Sequence, residues 1–244
     1  MSTTSTPPSP EKLSPAAAEP AGFVQSAMAI IQKDFVLEWR GRARVNATLF
    51  FAILVLLLFS FAIGADSRLL GRIAPGFLWL TIFMASVMSL GESMRIESEN
   101  EALEGLRLMP IDPRALFFGK ALINAVYLWL LGVVLVPVVV AIYDVDIKLG
   151  TGPLLGVLAG GAAAISAPGT LQAAIAIQAK ARDVLLPLLL FPLLVPGLLA
   201  AVKATELIMH GDAMNQLASW NSLLLAFAGI YWLLCTFLFG RVID

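Results

Sequence analysis

The sequence predicts an all-α integral membrane protein of six transmembrane helices, led in by an N-terminal amphipathic interfacial helix. Three observations carry that prediction. Of the 244 residues, 59% are apolar and only 14% charged, with a mean hydropathy of +0.87; soluble domains run nearer half apolar and a quarter charged. The charges are confined to short segments, leaving six charge-free stretches. The cations between those stretches are also distributed unequally, which orients the chain.

The six stretches are Val45–Ala65, Ile73–Gly91, Ala121–Tyr143, Leu149–Ala179, Val184–Val202 and Ala213–Gly240. Each is near or above the ~20 residues that an apolar helix needs to cross ~30 Å of hydrocarbon. Backbone groups in lipid must be satisfied within the segment, so these are helices; barrel strands would be about half as long and would alternate. Six spans place both termini on one side. With the termini inside, the inner segments hold Lys12, Lys33, Arg40, Arg42, Arg44, Arg95, Arg107, Arg114, Lys120, Lys180, Arg182 and Arg241, against Arg68, Arg72, Lys148 and Lys203 outside. Twelve against four puts both termini in the cytoplasm.

Residues 1–22 begin with a Ser-, Thr-, Pro- and Ala-rich run that has almost nothing to bury and reads as a disordered polar tail. It lacks the apolar core and cleavage site of a signal peptide. The membrane domain covers 23–244. In its first segment, about 23–44, Val24, Met28, Ile31, Phe35 and Trp39 follow one another at helical spacing, with Gln32, Lys33 and Glu38 turned away. Arg40, Arg42 and Arg44 close the segment, so apolar burial and anionic lipid would together hold it in the cytoplasmic interface.

The connection at about 92–114 concentrates Glu92, Glu97, Glu99, Glu101 and Glu104, five of the 17 acids, with Arg95 and Arg107 among them. Its helix formers run to Met109, where Pro110 and Pro113 stop the helix. From charge alone it is a solvated extension of the second span, with Glu–Arg pairs of a few tenths of a kcal/mol each; a docking surface for a cytoplasmic partner is the alternative. It is too short for a core of its own.

Lys120 and Asn124 lie one turn apart at the start of the third span. Lys120 is near enough to the boundary to snorkel; alternatively the pair faces a bundle cavity or couples helices. Gly119–Lys120 is no phosphate loop, because Arg114 stands where the leading glycine belongs and Ala121 follows the lysine. In the fourth span Gly152, Gly156, Gly160 and Ala164 recur every fourth residue, with Gly161 alongside. Such a stripe lets two helix backbones approach closely. Pro168–Gly169–Thr170 should kink or unwind that helix. Pro187, Pro192 and Pro196 should bend or break the fifth.

Catalysis by this chain itself is not expected, and no residue is assigned a catalytic role. One cysteine, Cys235, permits neither an intrachain disulfide nor CxxC chemistry. One histidine, His210, is read as lying in the short external loop before the last span, away from any Ser–His pair. No acid falls inside the six stretches for an aspartyl protease, and a metal site lacks ligands. A net charge of −1 gives no basic footprint for nucleic acid. A secondary transporter would need an ionisable residue in mid-span for its coupling ion.

The ordered set of features resembles the CcmB family, the integral membrane B subunit of the cytochrome c maturation system. The matching residues begin with Asp34–Phe35 and Glu38–Trp39–Arg40, then Gly76–Phe77–Leu78–Trp79. The acidic connection through Leu106 to Pro110 follows, with Gly119–Lys120 and Asn124. Pro168–Gly169–Thr170–Leu171 and Arg182 to Pro187, through Phe191–Pro192 and Pro196, complete it. The likeness runs from about Phe23 to the C-terminus; the Ser/Thr/Pro-rich tail departs from it.

The resemblance implies an ABC-2-type permease fold in the inner membrane and a likeness of role: a transporter subunit without its own nucleotide site. It implies a separate cytoplasmic ABC ATPase subunit that binds the ATP, a haem-handling membrane protein, a haem chaperone on the outer side, and a homodimer. Haem would be handled by partners, with no cofactor bound directly. It also moves the acidic connection toward docking, with Glu97, Glu99, Glu104 and Arg107 expected to contact the ATPase. Gly152, Gly156 and Gly160 remain packing positions. The competing readings are a permease of another ABC exporter, for lipid, polysaccharide or drug, and a membrane scaffold that transports nothing.

Overall fold

A computed structural model describes residues 28, 31–32, 42–64, 66–99, 113–177 and 182–243. Six long helices account for nearly all of them: α1 (Arg42–Ile63), α2 (Ser67–Glu99), α3 (Pro113–Tyr143), α4 (Thr151–Ile177), α5 (Arg182–His210) and α6 (Leu217–Ile243). Each contains a window long and apolar enough to cross a membrane, as the hydropathy pattern predicts. The polar tail lies outside the described residues. So does most of the interfacial helix, of which Met28, Ile31 and Gln32 are helical.

α4 is the axis of the bundle. It packs against α2, α3, α5 and α6, whereas among the described helices α1 touches only α2 and α3. Accordingly 78% of the α4 membrane window is buried, against 17% for α1 and 22% for α6. The composition of α4 explains its place. Gly and Ala side chains give neighbouring backbones and large side chains room to approach, which is how helices associate where lipid supplies no hydrophobic drive.

Short turns join α1 to α2, α3 to α4 and α5 to α6 at one end of the bundle, called here the turn end; at the opposite, termini end α2 and α4 finish and α1, α3 and α5 begin. The turns are capped by carboxylates. The Asp66 Oδ1 accepts from the Arg68 and Leu69 amides at 3.1 Å each. Asp212 accepts from the Gln216 and Leu217 amides at 2.8 Å each, satisfying donors that a helix start leaves open. Gly211, with φ of 100°, takes the left-handed backbone that ends α5. The α3–α4 turn is tied to that same end: the Leu149 amide donates to the Ile208 carbonyl (3.1 Å) and Lys148 Nζ to the His210 carbonyl (3.2 Å).

Four expectations about helix limits and continuity need correction. α5 runs through all three of its prolines as one helix, and α4 continues through Pro168–Gly169–Thr170 to Ile177, so the expected break and unwinding do not occur. A proline removes one hydrogen bond, but backbone released into an apolar bundle has no better partner, so the rest of the helical ladder is kept. Pro113 opens α3, at the first-turn position where its missing N–H costs nothing; Pro110, the other expected stop, lies outside the described residues. His210 is the last residue of α5 rather than part of a loop, and Glu206 lies inside the fifth membrane window. That carboxylate is held by Lys203 one turn earlier at 2.8 Å, so the helix carries a charge pair past the point where hydropathy falls.

Candidate functional site

The polar centre of the bundle lies between α3 and α4 toward the termini end. α3 begins at Pro113, so Lys120 sits two helical turns inside it rather than at its edge. Lys120 is 3% exposed and Asn124 7%; both turn into the protein. Asn124 Nδ2 donates to Thr170 Oγ1 at 3.0 Å, linking α3 to the Pro168–Gly169–Thr170 segment of α4. Two sequence features read separately therefore meet at one contact. Nearby on the same helices, Tyr127 Oη on α3 and Gln172 Oε1 on α4 are buried without a hydrogen-bond partner among the described residues, as is Thr81 Oγ1 on α2. Buried polar atoms of this kind are scarce in folded proteins, and three of them fall on the helices that surround this contact.

The start of α3 is held by the end of α6. Arg114 lies 5.1 Å from the centroid of the Phe237 ring, Phe117 packs on Phe239 with centroids 5.2 Å apart, and Phe118 meets Trp232 edge-on at 5.2 Å. Trp232 in turn donates from Nε1 to the Ala163 carbonyl of α4 at 2.9 Å. These contacts fix the helix that carries Lys120 and Asn124.

The predicted small-residue stripe divides. Gly160 packs on α6, where a Cβ would stand 3.2 Å from Leu224 Cδ2. Gly152 and Gly156 are exposed, and a Cβ at either would meet nothing within 4 Å. Among the described residues they support no close approach. The tight approaches are elsewhere, at glycines the four-residue spacing does not select. A Cβ at Gly161 would run into the Trp79 ring, and one at Gly169 into Leu90; at Gly197 it would lie 2.8 Å from Phe227 Cδ1. Trp79, 1% exposed, lies over Gly161 and donates to Thr205 Oγ1 of α5 at 2.9 Å, so one indole joins α2, α4 and α5. Its only sequence signal is a large aromatic at Trp79 and a second glycine beside the Gly160 stripe.

Of the predicted docking residues, Glu97 and Glu99 lie on the backbone of α2, beyond Glu92 where its membrane window ends. Their side chains, and Glu104 and Arg107 altogether, lie outside the described residues. Among the described residues no group of three or more His, Cys, Asp or Glu side chains is arranged to hold a metal ion. His210 is exposed at the turn end.

The family model described as CcmB protein matches residues 25–244. The chain is similar to heme exporter protein B of Rhodobacter capsulatus, 31% identical over 193 residues that cover 75% of this chain and 82% of that protein. It is similar also to heme exporter protein B of Haemophilus influenzae, 29% identical over 181 residues (72% of this chain, 80% of the other). The protein of that name from Escherichia coli is 28% identical over 211 residues, covering 80% and 89%. With a match that takes in the whole six-helix bundle, the chain belongs to the CcmB family.

Proposed function

We propose that this chain is the membrane permease subunit of an ABC-type complex for cytochrome c maturation. A separate cytoplasmic ATPase subunit hydrolyses ATP, and this chain couples that step to haem delivery or to release of a haem-loaded chaperone. The observation that carries the reading is the family match over residues 25–244, together with relatives named heme exporter protein B. The termini end faces the cytoplasm of the inner membrane, in keeping with the twelve-to-four distribution of cations.

The geometry supports a route for the coupling. α2 is one 33-residue helix, roughly 50 Å long at 1.5 Å per residue, and its last seven residues extend past its membrane window. Glu97 and Glu99 ride on that extension, and Glu104 and Arg107 follow in the connection. An ATPase seated there would push on a rod packed against α1, α3, α4 and α5. The Trp79 contact passes displacement from α2 to α4 and α5; the Asn124–Thr170 bond passes it from α4 to α3. Closure and opening of the ATPase would then bias the bundle between two arrangements. Two copies of this chain, the haem-handling membrane protein and the outer haem chaperone complete the assembly.

The test is gentle detergent purification of the tagged chain from its native host, with mass spectrometry and an ATPase assay. An ATPase subunit arriving with a haem-handling membrane protein supports the proposal. An ATPase without any haem protein would point to another exporter, and absence of an ATPase even after crosslinking would overturn the permease reading.

A further inference from the structure

A cavity of about 300 Å³ opens between α2 and α5 toward the turn end, lined by Arg72, Ile73, Pro75, Gly76, Phe77, Leu80, Val202 and Glu206. Its wall is apolar except for one cation and one carboxylate. Arg72 is exposed and makes no ion pair among the described residues. Glu206 is one-third exposed and gives only Oε2 to Lys203, which leaves Oε1 able to accept another donor. Gly76 faces the opening: a Cβ there would meet nothing within 4 Å. Arg72 lies five residues from the start of α2, and Phe77 and Leu80 lie deeper along it, so polar rim and apolar floor follow the direction of a bilayer interface.

We propose that this crevice binds one zwitterionic, amine-bearing phospholipid. The guanidinium of Arg72 takes the phosphate through paired, charge-assisted N–H···O bonds. The headgroup ammonium donates to Glu206 Oε1. An acyl chain lies on Ile73, Phe77, Leu80 and Val202, in the space a larger residue at position 76 would fill. The oxygen of Glu206 that Lys203 leaves open selects this headgroup: a lipid with a phosphate and no amine leaves that Oε1 without a donor. Because the floor of the crevice adjoins the turn of α2 that carries Trp79, the bound lipid props α2 and α5, two of the three helices that this indole joins.

The test uses the full chain purified in detergent, with phosphatidylethanolamine and phosphatidylglycerol added at equal concentration and retained lipid read by native mass spectrometry. The wild type is expected to keep one phosphatidylethanolamine in preference to phosphatidylglycerol. Arg72→Gln should weaken that retention about tenfold, the scale of a lost hydrogen-bonded charge contact, while Arg72→Lys keeps part of it. Glu206→Gln should remove the headgroup preference and leave phosphatidylglycerol bound at least as well. Gly76→Val should lower retention of both lipids. Equal retention by wild type, Arg72→Gln and Gly76→Val would show annular lipid only and overturn the proposal, as would a wild-type preference for phosphatidylglycerol. None of these readings depends on haem or on an ATPase, so the crevice stands or falls apart from the transport role.

Discussion

Of the described glycines, Gly161 has the least room for a Cβ, because Trp79 lies over it, and the cost of disturbing this fit is set by how little the indole can move. Its ring is bounded by α4 and its Nε1 is held by Thr205. Gly161→Ala is therefore expected to destabilise by about 1–3 kcal/mol, the range for overpacking a filled site. The readout is the midpoint of thermal unfolding in detergent, and Gly152→Ala, in open space, should leave that midpoint unchanged. At the polar contact, a double-mutant cycle of Asn124→Ala and Thr170→Val should give a coupling of about 0.6 kcal/mol, typical of interhelical hydrogen bonds in membranes; zero coupling would remove this bond from the account. Neither contact could be read from the chain beforehand. Spacing identified Lys120–Asn124 and Pro168–Gly169–Thr170 as features, but pairing across 46 residues depends on how α3 and α4 are rotated about their axes, which composition does not encode.

At the scale of elements, the number and order of helices were legible because hydrocarbon imposes one rule on every span: enough apolar length with all backbone bonds internal. Where helices end was less legible. Hydropathy stops at Val202, but the Lys203–Glu206 pair carries α5 to His210, and Pro113 starts α3 eight residues ahead of Ala121, the first residue of the expected span. Caps and charge pairs set helix ends, and they lie outside the apolar signal. The stripe on α4 shows a second limit, since four-residue spacing names a face without naming what meets it. Gly160→Leu is expected to lower thermal stability of the isolated chain, because it drives a side chain into Leu224. Gly156→Leu should leave that stability intact and act only on assembly with partners, scored as recovery of the complex by size-exclusion chromatography. A fall in isolated-chain stability with Gly156→Leu would contradict the open environment of that residue.

At the scale of the whole molecule, the proposed function gives the ATPase the end of the bundle that the charge bias and the α2 extension mark. Reversing Glu97, Glu99 and Glu104 together to Lys is expected to reduce co-purification of the ATPase, more strongly at low salt than at high, since exposed charges are screened. Unchanged recovery at physiological salt would remove these acids from the interface. This part of the proposal rests on resemblance alone, because a run of glutamates on a solvated helix looks the same with or without a partner. The most direct measurement is therefore positional. In a Cys235→Ala background, a cysteine is placed either at Glu97, on the α2 extension, or at Met214, 79% exposed in the α5–α6 turn, and each is crosslinked in native membranes. The account predicts an ATPase adduct from position 97 and none from position 214. An adduct from position 214 and none from 97 would contradict both the proposed orientation of the bundle and the proposed route by which ATP hydrolysis reaches it.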